Sequence, residues 1–301
     1  MGLLLALWVA FVLTLTLTAL IPQSAVVDSV GATAEQYQNA DMFEQLNPND
    51  PVSVIHNYAD AVLFNILWSQ DSTHPFTSAL DSALYQDTTG TQGQNLYAAV
   101  AGGQAANTSY ARYWHGDLIV LKPLSCVLGL RGIRILGAAV FIALGGVCFT
   151  LLFRRKLWAA AVGLALGLVV SQVWLVPLCI EYYACFALMF LFSDVVLLWG
   201  KQLTRDAELF LAIGALTCFF DFLTCEILTL CVPLVCLLLV QREEKHPALR
   251  RTERRAGIRA SQRRAGQERL RSRLAHRGQS GATGQSGGAE AVCPRVRNHL
   301  R

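Results

Sequence analysis

Charge is scarce in this chain, and positive charge is missing from its first third. Only 15% of the 301 residues are charged, against about 25% in an ordinary soluble domain. No Lys or Arg precedes Arg112. Cysteine is also absent from the polar N-terminal part: all 9 Cys lie at or beyond Cys126, and none forms a CxxC pair. A disulfide framework would need them in that polar part. Eight of the Cys lie in or beside apolar runs between Cys126 and Cys236 and read as small apolar fillers. The signatures GxxxxGKS/T, HExxH and GxSxG do not occur, which leaves P-loop, zincin and nucleophile-elbow chemistry without support. Gly102-Gly103 is only a turn signal, and His56, His74 and His115 lack metal-ligand spacing, so no metal is expected.

What the chain has instead is apolar length. Hydrophobic residues make up 53% of it and the mean hydropathy is +0.40. The net charge of +4 conceals a split. Up to Val240 the acids outnumber Lys and Arg sixteen to nine, while from Gln241 onward Lys and Arg outnumber acids sixteen to five. The basic balance therefore belongs to the tail and does not make the body a nucleic-acid binder.

The expected fold class is all-α: a polytopic membrane helix bundle of about six spans, with a helical extracytoplasmic loop and an interfacial helix. Residues 1–21 are expected to form the first transmembrane helix, since Gly2–Ile21 is uncharged and long enough to cross a bilayer. A signal peptide ending near Gln23-Ser-Ala25 is the rival reading, but it lacks a basic n-region.

Residues 22–117 form the expected extracytoplasmic loop domain. Ten acids (Asp28, Glu35, Asp41, Glu44, Asp50, Asp60, Asp71, Asp81, Asp87 and Asp117) face a single base, Arg112, a bias against a cytoplasmic position. Helices are expected over Val52–Trp68, Asp71–Tyr85 and Gln94–Ala101. Residues 118–132 read as an interfacial helix, too short to span, with Lys122 snorkelling into the headgroups.

Residues 133–240 carry the remaining five or so spans: Ile133–Phe153, Leu157–Leu175, Tyr182–Trp199, Ala207–Phe220 and Ile227–Val240. Arg154-Arg-Lys156, Lys201 with Arg205, and the tail are then cytoplasmic by the positive-inside rule. The N-terminus is cytoplasmic with them. The loop, Val176–Glu181 and Asp221–Glu226 share the other face. Residues 241–301 are rich in Arg, Gly, Ala, Ser and Gln and cannot bury a core, so disorder is expected there. Two readings stand for this tail: a polybasic segment on anionic lipid, or a frameshifted or truncated end.

The residues that suit chemistry gather where the polar loop meets the first long apolar run. In Tyr110-Ala-Arg-Tyr-Trp-His-Gly-Asp-Leu-Ile-Val-Leu-Lys-Pro123, Arg112 offers a bidentate fork for phosphate and Lys122 a point charge. His115 is placed to hydrogen-bond or shuttle a proton, and Tyr113 and Trp114 to anchor the interface or stack on a sugar. The plainer account is an aromatic belt with snorkelling bases. Asp60, amid apolar neighbours, is a candidate general base, with Asp41 as its rival. A solvated face or a pairing with Arg112 is its plainer account. Asp221 and Glu226 interrupt apolar sequence and are candidate supporting groups or partners for Arg131 or Arg134. Asp194 lies inside a span, where it pairs or faces a cavity.

Several of these pieces carry a resemblance. Asn57-Tyr-Ala-Asp-Ala-Val-Leu-Phe-Asn-Ile66, Tyr110-Ala-Arg-Tyr-Trp-His-Gly116 with Leu121-Lys-Pro123, Glu181-Tyr-Tyr183, and Phe219-Phe-Asp-Phe-Leu-Thr224 with Val232-Pro-Leu234 span residues 55–240. Together they resemble a group of uncharacterised multi-pass membrane proteins of Gram-positive bacteria. That group looks like the GT-C class of integral-membrane glycosyltransferases. The resemblance implies a polyprenyl-phosphate sugar donor, a cell-envelope acceptor and a loop carboxylate, Asp60 or Asp41, that activates the acceptor hydroxyl. Arg112, His115 and Lys122 would then hold the lipid phosphate. The chain departs from that class in having fewer spans. The alternative is a non-catalytic polytopic membrane protein, transporter-like or a lipid- and envelope-binding module. Its polar groups gather at one face, whereas transport favours groups deep in several spans.

Overall fold

The computed structural model describes residues 2–200, 206–220 and 225–245. The basic tail from residue 246 onward, Asp221, Lys201 and Arg205 lie outside the described residues. Helix α1 (Gly2–Ala19) has no charged residue. Phe11, Leu15 and Ala19, four residues apart, form its packed stripe. Leu5, Trp8, Leu13 and Leu17 point outward and stay exposed. A helix apolar all round, with only a narrow stripe covered, suits lipid rather than water.

After a 3-10 turn at Gln23–Ala25 the loop domain begins with α2 (Val27–Gln38). A short antiparallel hairpin follows, β1 (Phe43–Gln45) against β2 (Val54–His56), in the register Phe43↔His56, Glu44↔Ile55 and Gln45↔Val54. Then come α3 (Asn57–Ser69), α4 (Pro75–Asp81) and α5 (Gln92–Val100). Pro75 opens α4, where its missing N–H costs nothing. Thr91 and Gln94 close a reciprocal capping box on α5.

The sequence placed a helix over Val52–Trp68, but the helix starts only at Asn57 because Val54–His56 pairs with β1. Helix α2 lies where no helix was expected: its buried stripe, Val30, Thr33, Ala34 and Tyr37, is small or polar at most positions and lacks the large apolar residues that mark a packed helix. The expected helix over Asp71–Tyr85 shrinks to α4.

The bundle consists of α6 (Leu118–Ser125), α7 (Leu130–Arg154), α8 (Trp158–Val170), α9 (Tyr183–Trp199), α10 (Asp206–Phe220) and α11 (Glu226–Lys245). Two 3-10 turns, Val173–Leu178 and Ile180–Tyr182, link α8 to α9. Among the described residues three segments are long and apolar enough to cross a membrane: Gly2–Ala19, Leu130–Arg154 and Ile180–Trp199. Trp158–Val170 and Ala207–Phe220 are apolar but shorter. The expected span Leu157–Leu175 breaks at Gln172, whose φ of 52° ends the helix, and Pro177 keeps the following segment out of one. The protein is thus mostly helical, with membrane-length helices and exposed apolar faces such as Ile142 and Val170.

Four contacts gather distant turns at the loop-domain end of the bundle. Ser29 Oγ donates to the Leu128 carbonyl at 2.8 Å. Gln172 Nε2 donates to the Asp50 carboxylate. The Ile180 amide donates to Asp60 Oδ1 at 2.8 Å. The Gly116 amide donates to the Phe219 carbonyl at 2.9 Å. Arg154 lies at the other end of α7, about 36 Å away at 1.5 Å per residue.

Two cores result. One joins α1, the loop helices, α6 and the start of α7 through residues such as Leu15, Tyr37, Phe64 and Leu118. The other joins α7, α8, α9 and α11 through Leu152, Met189, Phe190 and Leu237. Cys148 and Cys236 are buried there as thiols. Cys148 donates to Asp194, and Cys236 bonds Ser193, so the in-span carboxylate has a local partner.

Gly116 is where the first core meets α10. A Cβ on it would strike the Phe219 carbonyl and ring. Gly116→Ala is therefore expected to cost about 1–3 kcal/mol by overpacking, read as a lower melting temperature in detergent.

Candidate functional site

Asp60 lies in the first turn of α3 and is fully buried. Its Oδ2 accepts from Tyr37 Oη at 3.0 Å and from Arg134 Nη2 at 3.0 Å, and its Oδ1 accepts the Ile180 amide. Arg134 Nη2 also donates to Tyr37 Oη at 3.0 Å. One carboxylate thus ties α2, α3, α7 and the turn before α9 together. Its partner is Arg134, not Arg112, and it lies on no solvated face. Burial pushes the Asp60 carboxyl up to about 6 in spite of the three donors. Burial and the Asp60 charge together raise Tyr37, so its phenol stays protonated and keeps donating. The group expected to act as a loop base is buried and held by three donors, in a position that ties the loop domain to the bundle. Asp41 is exposed, and its Oδ1 accepts the Phe43 amide at 3.1 Å at the entry to the hairpin.

The Tyr110–Pro123 segment does not converge on one ligand. Arg112 is exposed, its guanidinium 5.4 Å from the centre of the Tyr113 ring. Trp114 turns the other way, into the core against Phe11 and Phe219. His115 is buried, with φ at 53°, and its Nδ1 lies 2.8 Å from the Tyr113 carbonyl. Burial draws its imidazole down to about 4, so it is neutral at pH 7.

Lys122 was expected to snorkel. It is instead 0% exposed, its Nζ donating to Gln70 Oε1 at 3.0 Å. Helix α6 packs that face on the end of α3, and burial draws the ammonium down to about 8. Arg131 is exposed at the start of α7 and Glu226 half-buried at the start of α11. Asp221 lies outside the described residues.

Two features were not anticipated. The first is a cavity of about 310 Å³ in the loop-side half of the bundle, between α6, α7, α9 and the end of α10. Its walls are almost wholly aliphatic or aromatic. Asp117, Ile180, Tyr183 and Phe220 line it beside Leu124 and Ala187. Three of the sequence pieces singled out above therefore meet here: Asp117 follows His115-Gly116, Ile180 and Tyr183 flank Glu181-Tyr182, and Phe220 follows Phe219.

The second is a His–carboxylate pair. His56 Nδ1 lies 3.3 Å from Glu181 Oε1, with side-chain exposures of 38% and 6%. Tyr182 also bonds Glu181, and its ring meets the His56 ring edge-on at 5.7 Å. Phe43 packs on His56 at 5.5 Å and stacks on Tyr58 at 5.8 Å. Tyr58 lies within electrostatic reach of Tyr110, which packs on Tyr113 at 6.0 Å. Two ring clusters result, Tyr182–His56–Phe43–Tyr58 and Tyr110–Tyr113, the second with Arg112 beside it. No local period links His56 to Glu181 across 125 positions. The only sequence signal was that each adjoins a piece already noticed, Asn57–Ile66 and Glu181–Tyr183.

Among the described residues no group of His, Cys, Asp and Glu has the makings of a metal site. Comparison with protein families, with curated proteins and with solved structures finds no match to this chain.

Proposed function

We propose that this chain is a GT-C-like membrane glycosyltransferase that moves a sugar from a polyprenyl-phosphate donor to a cell-envelope acceptor. In this reading the isoprenoid chain enters the apolar cavity between α6, α7 and α9, and the sugar lies on the ring-lined surface outside it. Arg112 and Arg131 are the exposed loop-side cations suited to the phosphate. The single observation that carries the reading is the convergence of Asp117, Ile180, Tyr183 and Phe220 on one apolar cavity. That cavity falls within the ordinary size range of ligand pockets. Membrane lipid and an envelope polymer are the partners implied, and nucleic acid is not one. The loop domain is assigned to the outside of the cell, and the N-terminus and basic tail to the cytoplasm. The basis is Arg154-Arg-Lys156 at the bundle end opposite the acidic loop.

One observation favours the non-catalytic alternative, a lipid- or envelope-binding module: the expected loop base, Asp60, is fully buried and already accepts three hydrogen bonds. Labelling with a photoreactive polyprenyl phosphate separates lipid binding from its absence. Wild-type labelling should fall on α6 and α9. Ala187→Trp, which fills the cavity, should cut it at least tenfold, and Arg112→Ala should weaken it by about tenfold, as loss of one charge-assisted contact does. Labelling untouched by Ala187→Trp would remove both lipid readings. Sugar turnover then separates the transferase from the binding module.

A further inference from the structure

The cavity belongs to the reading above, and the Lys122–Gln70 pair is buried. Asp194 has its partner in Cys148. Among the described residues two His–carboxylate pairs have an accessible face: His74 with Asp71 is a local pair three residues apart with both side chains largely exposed, whereas His56 with Glu181, on the ring-lined surface of the loop domain, joins distant segments and has a buried carboxylate. The latter resembles no expected catalytic pair of this sequence, since both candidate bases were aspartates.

The geometry points to His56 as the proton acceptor for a carbohydrate hydroxyl at this surface, with Glu181 as its positioning residue. The inference rests on the transferase reading and names the group that would do the work Asp60 is placed too deep to do. Glu181, nearly buried, faces His56 Nδ1 at 3.3 Å. The two atoms are not aligned as a formed hydrogen bond, but the carboxylate charge favours the proton on Nδ1 and so leaves the lone pair on Nε2. The His56 side chain is over one-third exposed, which leaves its ring open to a ligand. This is the arrangement of a candidate base: a buried carboxylate biases the tautomer of a partly exposed imidazole. Phe43 and Tyr58, both exposed and flanking His56, give the C–H face of a sugar ring something to stack on.

The step balances without another reactant than donor and acceptor. The acceptor oxygen attacks the anomeric carbon as its proton passes to His56 Nε2. The bond from that carbon to the phosphate oxygen breaks, and the polyprenyl phosphate leaves with the electron pair. The proton on His56 then passes to water or to the departing phosphate.

The charged and titratable groups around His56 are few. Glu181 and Tyr182 face its ring from the turn before α9, and Cys179 Sγ accepts its backbone amide at 3.3 Å. Glu44 lies on the paired strand opposite Ile55. Partial burial holds the imidazole below its ordinary value, so it is neutral and able to accept near pH 7.

The experiment uses the full chain in nanodiscs with polyprenyl-phosphate glucose, galactose, mannose and N-acetylglucosamine as donors and octyl glycosides as acceptors. His56→Gln should lower kcat at least 100-fold, as loss of a general base does, with the donor KM within about twofold. Glu181→Gln should lower kcat about tenfold and move the acid limb of the pH profile down by about one unit, because removing an anion destabilises imidazolium. Carbethoxylation of His56, read by mass spectrometry in the same variants, should show the same downward move of its midpoint. Should Glu181→Gln fail to assemble, Glu181→Asp should give an intermediate midpoint. Wild-type turnover that survives His56→Gln overturns the role of His56 and leaves the transferase reading standing. No wild-type turnover with any donor overturns both. An unmoved carbethoxylation midpoint overturns the Glu181 assignment.

Discussion

Asp60→Ala is expected to destabilise the protein by about 3–5 kcal/mol, the usual result of removing one partner from a buried ion pair. The variant strands three donors at once: Arg134 Nη2, Tyr37 Oη and the Ile180 amide. Arg134 Nε already has no hydrogen-bond partner among the described residues, so the guanidinium would sit half-buried with little to offset its charge. Asp60→Asn should be nearly as costly. Its Oδ1 can still accept from Ile180, but its Nδ2 would point a donor at two donors. Melting in detergent measures both variants. A double-mutant cycle with Arg134→Ala gives the sharper test, because the second substitution should add little once Asp60 is gone. If sugar turnover exists, Asp60 variants should lose it in proportion to the folded fraction. An Asp60→Ala protein that melts like the wild type and yet turns nothing over would return Asp60 to the role of base.

Stability that climbs as the medium turns alkaline, between about pH 8 and pH 10.5, is the second large effect expected, and Lys122 is its source. In the unfolded chain this lysine titrates near 10.5, and in the fold burial draws it down to about 8. Between those values the unfolded state binds the proton and the native state does not. Stability therefore rises with pH across that window, and below pH 8 the full penalty is present. The gap corresponds to about 3 kcal/mol at 1.36 kcal/mol per unit. Gln70 Oε1 is its one hydrogen-bond acceptor among the described residues, a neutral group that offsets part of the cost of burying the ammonium. Lys122→Met should remove the rise. At pH 7 it should leave the protein as stable as the wild type or more so, since the lost desolvation penalty outweighs one unsatisfied amide oxygen, at about 1–3 kcal/mol. Melting temperatures of both proteins from pH 7 to pH 10.5 decide it: parallel curves would mean that Lys122 stays charged and hydrated.

The two cases show why local reading stopped where it did. Asp60 looked like a poised base because its neighbours Ala61, Val62, Leu63 and Phe64 are apolar, and those neighbours are indeed buried with it. What the pattern could not carry is the identity of the donors. Tyr37 sits on a helix whose buried stripe is made mostly of small or polar residues, and Arg134 and Ile180 lie far along the chain. Lys122 looked like a snorkelling residue because an eight-residue helix does not repeat its faces often enough to show which one is covered. Glu181-Tyr-Tyr183 stood out without a reason. In the fold Glu181 meets His56, and the Tyr183 hydroxyl donates to the carbonyls of Arg134 and Pro177.

The order of residue types along the chain was enough to specify long apolar helices, an acidic polar domain between the first and second of them, and a seam rich in aromatic and basic groups. Those properties depend on composition over ten to twenty neighbouring positions, and hydrophobic transfer acts on each segment almost independently. Which carboxylate would be locked away, which histidine would gain an anion, and where α8 would give way to a cavity wall depended on surfaces meeting across a hundred residues or more. Burial and pairing energies arise only at such meetings, so tertiary structure alone assigned them.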